Sequence, residues 1–377
     1  MKRHKAFDPP EYHDWTLAPG LLDEYEATLA RDPARAALVA GLDRDTLLSL
    51  YRGLVRARLH DTSLKRWVKN GVITKAWLAT GEEAVTVGAT LALDRRGGEG
   101  DVVGPMIRNA AACAEMGMPL WEMFGAYLAI EDTTCRGRDL HIGDLKHGVI
   151  APVSHVGSLL PVMVGAALAF QLQDEPRVAM TWVGDGATKT GEFHEGANLA
   201  AAAGLPIVIF IQNNQVALGT RTEWHHKGDF LAFGPAYGMP SAQVDGNNVL
   251  DVYAASRLAA ERARAGQGPT LLVAETFRMG GHATHDEREA REILPPELFA
   301  RWGQRDPLGL YEEWLLRRPY DLSGQGHADD LETHNRAFLA QLEQEVSDEV
   351  EAAAERALAV RATSQPDPAK LLDGLYA

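Results

Sequence analysis

Two apolar runs joined by an alanine-rich segment constrain the fold more than any other feature of this chain. Residues 178–183 are apolar apart from Thr181, and residues 207–211 form a second run. Such runs are typical of strands that are covered on both faces of a sheet. Residues 191–203 between them are long enough for a crossover helix, so the pattern predicts a right-handed parallel strand–helix–strand unit.

Polar residues follow both predicted strands. Gly184-Asp185-Gly186 follows the first, and Asn213-Asn214 follows the second. Because parallel strands end at the same edge of a sheet, we expect Asp185 and Asn214 to converge where open α/β sheets bind ligands. A carboxylate and an amide oxygen can bind Mg²⁺, and the two glycines permit close approach of the backbone to a diphosphate. The alternative is an exposed turn beside an unrelated asparagine pair.

Charge and cysteine content exclude several classes of protein. The net charge of −15 argues against nucleic acid or an anionic membrane as a partner. No apolar run approaches the roughly 20 residues of a membrane helix, and the basic first residues lack the apolar segment of a signal peptide. Cys113 and Cys135 are not spaced as a metal motif and suggest no disulfide framework. We therefore expect a cytoplasmic protein.

The order of elements predicts one wound α/β domain with helical extensions. We expect an N-terminal extension over residues 1–44 with some helical pattern over 22–37, an α/β domain over 45–310, and a helical C-terminal extension over 311–377. The long polar segment 277–291 is interpreted as a loop. The predicted helices cover residues 45–69, 82–93, 121–130, 159–170, 249–265 and most of 327–362, and the further strands cover 101–103, 242–245 and 271–275.

Several motifs together resemble one family. The GDG turn and the asparagine pair resemble the thiamine diphosphate motif, and residues 81–84 (GEEA), 156–157 (VG) and 278–282 (RMGGH) extend the likeness. Residues 46–307 resemble the alpha subunit of the decarboxylating component of 2-oxo acid dehydrogenase complexes, which act on pyruvate, branched-chain 2-oxo acids or acetoin. The resemblance implies a thiamine diphosphate-binding fold with a wound parallel sheet flanked by helices.

The resemblance also implies roles for particular residues. The metal ligands would be the side chains of Asp185 and Asn214 and the backbone carbonyl of Val216. Arg108 falls on the arginine that contacts the diphosphate, where a guanidinium makes charge-assisted bonds to phosphate oxygens. His282 falls on the loop histidine near the reacting carbon and would act as a general acid or base. Without the resemblance, His282 would be interpreted as an ordinary loop histidine.

Other site residues follow from the same comparison. Val156 falls on the apolar wedge that keeps the cofactor bent, and Ser154 lies where the family has a residue near the aminopyrimidine ring. Gly184 and Gly186 complete the cofactor-binding set. Glu82 and its neighbour Glu83 are interpreted as helix-start residues.

Three single positions and one short segment depart from the family pattern. Ile107 stands where a tyrosine usually precedes the arginine, and Gln212 stands where branched-chain enzymes have an arginine. Ala283 replaces a serine that is phosphorylated in mitochondrial branched-chain enzymes, so that modification is excluded at this position. Residues 216–219 (VALG) replace a common Y-A-I-S. These differences bear on the shape of the pocket and on substrate choice.

The resemblance implies that this chain supplies half of an active site. The cofactor would carry the chemistry of oxidative decarboxylation, and family enzymes take a glutamate for its aminopyrimidine from a beta subunit. We expect an α2β2 heterotetramer, a small 2-oxo acid substrate, and acyl transfer to a lipoyl group on a separate acyltransferase. The alternatives are an acetoin dehydrogenase alpha subunit and a subunit that binds cofactor without catalysing. A generic nucleotide-binding domain lacks support because the chain shows no P-loop.

Overall fold

A five-stranded parallel sheet forms the centre of the described part of the chain. The computed structural model describes residues 15–326, 330–370 and 372–373. The sheet order is β1-β2-β3-β7-β6, and β4 and β5 form a separate antiparallel pair. The strands are β1 (Val102–Gly104), β2 (Ala179–Gly184), β3 (Ile207–Asn213), β4 (Val216–Ala217), β5 (Thr220–Arg221), β6 (Ser241–Asp245) and β7 (Thr270–Glu275).

Helices flank the sheet on both faces. They are α1 (Leu21–Ala30), α2 (Pro33–Ala40), α3 (Arg44–Lys69), α4 (Glu83–Leu91), α5 (Ala111–Glu115), α6 (Leu120–Tyr127), α7 (Leu159–Leu172), α8 (Gly191–Ala202), α9 (Thr222–His225), α10 (Phe233–Tyr237), α11 (Val249–Arg264), α12 (Glu287–Ile293), α13 (Pro296–Gln304), α14 (Pro307–Leu316) and α15 (Leu331–Arg361). The prediction of an α/β fold with a parallel sheet between helices is therefore confirmed.

The strand–helix–strand unit forms as the sequence predicts. β2 and β3 are parallel neighbours, with Gly184 paired to Gln212 at their carboxyl ends. Between them, α8 begins where the side chain of Thr190 accepts a hydrogen bond from the backbone N–H of Phe193. The unit brings the two polar segments that follow the strands to the same edge of the sheet.

β3 separates two hydrophobic cores. Val208 and Phe210 belong to a core that includes residues of α3, α4, α11 and α15. Ile207, Ile209 and Ile211 belong to a second core that includes residues of α7 and α8. Successive side chains of a strand point to opposite faces, so a strand that is buried on both sides needs the continuous apolar run seen in the sequence.

The predictions for two segments need correction. Residues 277–291 are not a loop throughout, because α12 begins at Glu287. Its first turn carries Glu287 and Glu289, and acidic side chains are favourable at a helix N-terminus. The same charges give the segment the polar composition of a loop. The helical pattern over 22–37 is two helices, because Asp32 caps α2 and Pro33 occupies its first turn. Residues 327–329 of the predicted helical tail lie outside the described residues.

The terminal helices pack into the first core. Trp15, Tyr25 and Leu339 are buried in the same cluster as Leu50 of α3. α14 runs across position 310, so the boundary drawn there remains a prediction. In the described residues, no helix has the length and apolar character needed to cross a membrane.

A buried ionic network joins three of these helices. Arg58 of α3 bonds Glu83 at the start of α4, and its Nη1 lies 3.0 Å from Oδ2 of Asp306. Asp306 also caps α14 by accepting from the backbone N–H of Gly309 at 2.7 Å. All three charged side chains are excluded from solvent. The network therefore fixes α14 against the helices that adjoin the sheet.

Candidate functional site

The turn after β2 leaves no room for a side chain at Gly186. A Cβ atom built on Gly186 would lie 2.5 Å from Cβ of Ala217, whereas one on Gly184 would meet nothing within 4 Å. Gly186 opens a short 3-10 helix that ends at Lys189. Glycine at 186 is therefore required by the close approach of the segment that follows β3.

Asp185 is buried at this turn and held through one oxygen. Thr222 donates its hydroxyl hydrogen to Oδ2, and Nε2 of His225 lies 3.3 Å from the same oxygen. The Thr222 hydroxyl also lies 3.4 Å from Oδ1 of Asn213 at the end of β3. Because both contacts with described residues use Oδ2, Oδ1 of Asp185 is left for a ligand such as a hard cation.

Asn214 is oriented by a carboxylate from another part of the chain. Its Nδ2 donates to Oε1 of Glu82 at 2.9 Å. Within the described part of the chain, the only bond to its Oδ1 is a long one of 3.5 Å from the backbone nitrogen of Val216. The carbonyl oxygen of Val216 accepts a similarly long bond of 3.4 Å from Arg278. The amide oxygen of Asn214 and this carbonyl oxygen are thus weakly engaged among the described residues.

Glu82 lies at the centre of a buried polar cluster. Its Oε1 also accepts from Nε2 of Gln212 at 2.5 Å, and its Oε2 lies 3.6 Å from Nε of Arg108 without a hydrogen bond. Burial raises the pKa of Glu82, and the charge of Arg108 and the bonds from Gln212 and Asn214 oppose that rise. The cluster therefore couples a carboxylate to the predicted diphosphate arginine and to the predicted metal ligand.

Arg278 places a second guanidinium beside the first. Its three hydrogen bonds go to the backbone carbonyls of Gly280, Val216 and Leu218, so no ion pair fixes it in the described part of the chain. Burial, followed by the charge of Arg108, lowers the pKa of Arg278 to about 10. A buried cation without a paired anion is costly, so Arg278 favours the binding of an anion, and Arg108 adds a second positive charge beside it.

His282 is tied to the same cluster. Its carbonyl oxygen accepts from Nη2 of Arg108 at 2.8 Å, and its backbone nitrogen donates to Asp286 at 3.1 Å. Burial and the charges of Arg108 and Arg278 lower the pKa of its imidazole to about 4. The ring is therefore neutral at pH 7 and can accept a proton or a hydrogen bond.

Comparison with known proteins gives the family. Residues 51–361 match the family model described as dehydrogenase E1 component. The chain belongs to this family. The relatives of this E1 chain include a 2-oxoisovalerate dehydrogenase subunit alpha of Bacillus subtilis, which is 32% identical over 281 residues, 73% of this chain and 83% of that protein.

Two further relatives support the assignment to the alpha type. A pyruvate dehydrogenase E1 component subunit alpha of Acholeplasma laidlawii is 32% identical over 74% of this E1 chain and 78% of its own length. A 3-methyl-2-oxobutanoate dehydrogenase subunit alpha of Mycobacterium tuberculosis is 34% identical over 73% of this chain and 71% of that protein. This chain is therefore an E1 alpha chain of the 2-oxo acid dehydrogenase type.

Two residues predicted for the site of this E1 chain are exposed, unlike the members of the buried cluster. Val156 is 62% exposed, and Ser154 is also exposed. Among the described residues, the hydroxyl of Ser154 contacts Nε2 of His141 at 3.4 Å. Gly157 has a φ of 84° and packs against Thr190, so the loop needs glycine there. The structure thus places Ser154 and Val156 on an exposed loop, and their roles remain predictions.

The sequence missed the roles of three residues in the E1 cluster. Glu82 does stand at the start of α4, but its side chain makes no capping bond and instead bonds Gln212 and Asn214. The helix-start position of Glu82 is therefore confirmed, and its bonds to Gln212 and Asn214 add a role that this interpretation did not include. The sequence presents Gln212 only as the loss of a cation, and Arg278 only as part of a motif. A polar Gln212 at the end of an otherwise apolar buried strand was the available signal.

The imidazole of His282 predicts a pH dependence for the unfolding of this E1 chain. Its native pKa of about 4 lies below the ordinary value of 6.5, so between these values the unfolded chain binds more protons. The contribution of His282 is therefore a loss of stability as pH falls through this window. Between pH 7 and pH 5, we expect the free energy of unfolding to decrease less in the His282→Gln variant than in the wild type. Urea denaturation at the two pH values measures this difference. Equal losses would contradict the neutral imidazole.

Proposed function

We propose that this E1 alpha chain binds thiamine diphosphate and Mg²⁺ and, with a beta subunit, catalyses oxidative decarboxylation of a 2-oxo acid. The substrate would be a branched-chain 2-oxo acid or pyruvate, and the acyl group would pass to a lipoyl group on an acyltransferase. The observation that carries this proposal is the pair of buried arginines, Arg108 and Arg278, beside the polar ends of β2 and β3. The relatives named above act on substrates of this class.

The oxygen atoms at the strand ends fit a hard divalent cation. Asp185 keeps one oxygen clear of its two contacts, and Asn214 has its amide nitrogen bonded to Glu82. The carbonyl of Val216 would supply a third oxygen. Thr222 and Glu82 would act behind these ligands by fixing their orientation, as outer partners of metal ligands commonly do. Mg²⁺ suits a set with few protein oxygens, because phosphate oxygens and water complete its shell.

The arginine pair fits the diphosphate. Arg108 and Arg278 are buried, and the carboxylate nearest Arg108 is 3.6 Å from it and forms no hydrogen bond to it. A cation on Asp185 would add positive charge to this edge and increase the need for an anion. Gly184 leaves open space in front of the turn, where a bulkier residue would obstruct the ligand. Val156 and Ser154 are proposed for the ring portion of the cofactor.

The chain would bind and orient the cofactor and would take part in proton transfer. When bound, thiamine diphosphate supplies the carbanion chemistry that decarboxylation needs. The neutral imidazole of His282, next to Arg108, would accept or return a proton at the substrate oxygen. An anion bound between the arginines would offset their charges and raise the pKa of His282 toward neutrality.

Exposed apolar side chains near the site support the need for a beta subunit. Val156, Leu218 and Trp224 are 62%, 62% and 61% exposed. Residues close to them in the chain, Gly157, Ala217 and Thr222, contact the turn and short helix that follow β2. Exposed large apolar side chains near a candidate site are typical of protein interfaces. The α2β2 assembly is proposed from the family resemblance.

The test is turnover by the full-length chain co-purified with a beta-type partner. Pyruvate, three branched-chain 2-oxo acids and acetoin are each supplied with thiamine diphosphate, Mg²⁺ and an artificial electron acceptor. We expect turnover of 2-oxo acids, and a loss of at least about 100-fold in His282→Ala because a positioned acid or base contributes that much. His334→Ala is the matched control. His334 lies in α15 and bonds Ser323, and it is not among the residues proposed for the site.

The other outcomes separate the alternatives. Turnover of acetoin alone would identify the acetoin-cleaving relative. Tight cofactor binding with no turnover of any compound would support a subunit that binds without catalysing. Wild-type turnover in His282→Ala would remove the histidine from the mechanism.

A further inference from the structure

A groove lies between helices that carry none of the residues proposed for the cofactor. It is lined by residues of α3, α5, α6 and α15 and has a volume of about 650 Å³. Pockets for small molecules have volumes of roughly 300–1,000 Å³. The groove is therefore large enough for a metabolite of nucleotide size.

The lining of the groove is basic in an acidic chain. Four arginines, Arg52, Arg56, Arg95 and Arg356, line it. The lining carboxylates are Glu115 and Glu349, although the whole chain has 52 acidic residues against 37 lysines and arginines. We call this feature the arginine groove. Its composition reverses the charge balance of the protein, which points to an anionic occupant.

Two of the four arginines are already committed to carboxylates. Arg56 lies 2.6 Å from Glu115 and 3.5 Å from Glu349. Arg52 lies 2.8 Å from Glu345 on α15. These pairs hold α3 against its neighbours, so they define the wall of the groove and leave little charge for a ligand.

The other two arginines have no ion pair among the described residues. Nη1 of Arg95 donates to the backbone carbonyl of Glu115 at 2.9 Å. The guanidinium of Arg356 stands over the ring of Trp121, 4.5 Å from its centroid. Each guanidinium is thus held in place while keeping donors for a further acceptor, and such planar donors match phosphate oxygens.

The rest of the groove is apolar. Leu91, Met118 and Trp121 contribute apolar surface, and α15 presents Ala352 and Ala353 to the groove. Because Ala352 and Ala353 have only methyl side chains, this part of α15 leaves open the space between the arginines and the apolar surface. A bare inorganic anion would leave the apolar wall uncovered, whereas a ligand with a planar apolar part would use it.

From these observations, we propose that the arginine groove binds a nucleoside phosphate. Arg95 and Arg356 would bind the phosphate groups, and the base would lie against the apolar wall. The groove shares no residue with the proposed cofactor site. Its ligand would therefore be a metabolite other than the substrate or thiamine diphosphate.

The test is isothermal titration of the full-length chain with ADP. We expect saturable binding, weakened at least about tenfold in the double variant Arg95→Gln/Arg356→Gln, because each charge-assisted bond lost is worth about that factor. Arg136→Gln is the matched control, since Arg136 pairs with Glu131 outside the groove. Absence of saturable binding up to about 1 mM ADP would overturn the proposal.

Two further variants decide where ADP binds. Arg108→Met removes the arginine of the candidate cofactor site and is expected to leave ADP binding intact. Loss of binding in Arg108→Met but not in the double variant would overturn the proposal, because ADP would then occupy the cofactor site.

Ala352→Phe fills the groove without changing its charge and lies on an exposed part of α15. We expect it to weaken ADP binding more than the binding of inorganic tripolyphosphate. An equal effect on both ligands would overturn the assignment of a nucleoside.

Discussion

Replacing Asp185 by asparagine is expected to raise the Mg²⁺ concentration needed for thiamine diphosphate binding about 100-fold. Asp185 is the one carboxylate proposed as a metal ligand, and its environment holds Oδ2 through Thr222 and His225. Asparagine keeps the size of the side chain but removes the charge that attracts a hard cation. The apo chain is titrated with thiamine diphosphate in a calorimeter at a series of Mg²⁺ concentrations, and the dissociation constant of the cofactor is measured at each.

Two controls make this result specific. Thr222→Val removes the hydroxyl that holds Asp185 without removing the carboxylate, and we expect about a tenfold effect. Asp139→Asn changes an exposed aspartate next to His141, and we expect no change. If Asp185→Asn binds the cofactor with the Mg²⁺ dependence of the wild type, the metal assignment is wrong.

Replacing Arg58 by methionine should cost about 3–5 kcal/mol of unfolding free energy. Arg58 is fully buried and bonds the carboxylates of Glu83 and Asp306. Methionine fills much of the same space, but it leaves two buried carboxylates without their shared cation. The free energy of unfolding is measured by urea denaturation at pH 7 for the wild type and the variant.

The matched control uses another arginine of the same helix. Arg66 lies 2.7 Å from Glu351, but both side chains are nearly half exposed, at 46% and 45%. Solvent weakens such a pair, so Arg66→Met should cost about 0–1 kcal/mol. Similar costs for the two variants would show that burial does not set the strength of the Arg58 network.

The sequence predicted the centre of the fold because its signals are local. The apolar runs of β2 and β3 and the alanine-rich segment between them each identify an element within a few residues. The polar residues after each strand then predicted the edge of the sheet that carries the site. Asp185 and Asn214 do lie at the ends of adjacent parallel strands.

The buried cluster could not be predicted in the same way. Glu82, Gln212 and Asn214 meet only because the residue before α4 lies beside the end of β3, and no local pattern describes that contact. Arg278 adds a further segment that becomes a neighbour only in the folded chain. Similarly, the charges of α12 look the same in a helix and in a polar loop, so its start was not recognised.

The position of β3 between two cores has a consequence for how substitutions combine. Val208 and Phe210 share neighbours on one face, whereas Ile209 and Ile211 share neighbours on the other. Changes within one face disturb the same packing, so their energetic effects should be non-additive, while changes on opposite faces should nearly add. How well this strand tolerates several substitutions therefore depends on whether they fall on the same face, that is, on alternate positions. Their distance along the chain matters less.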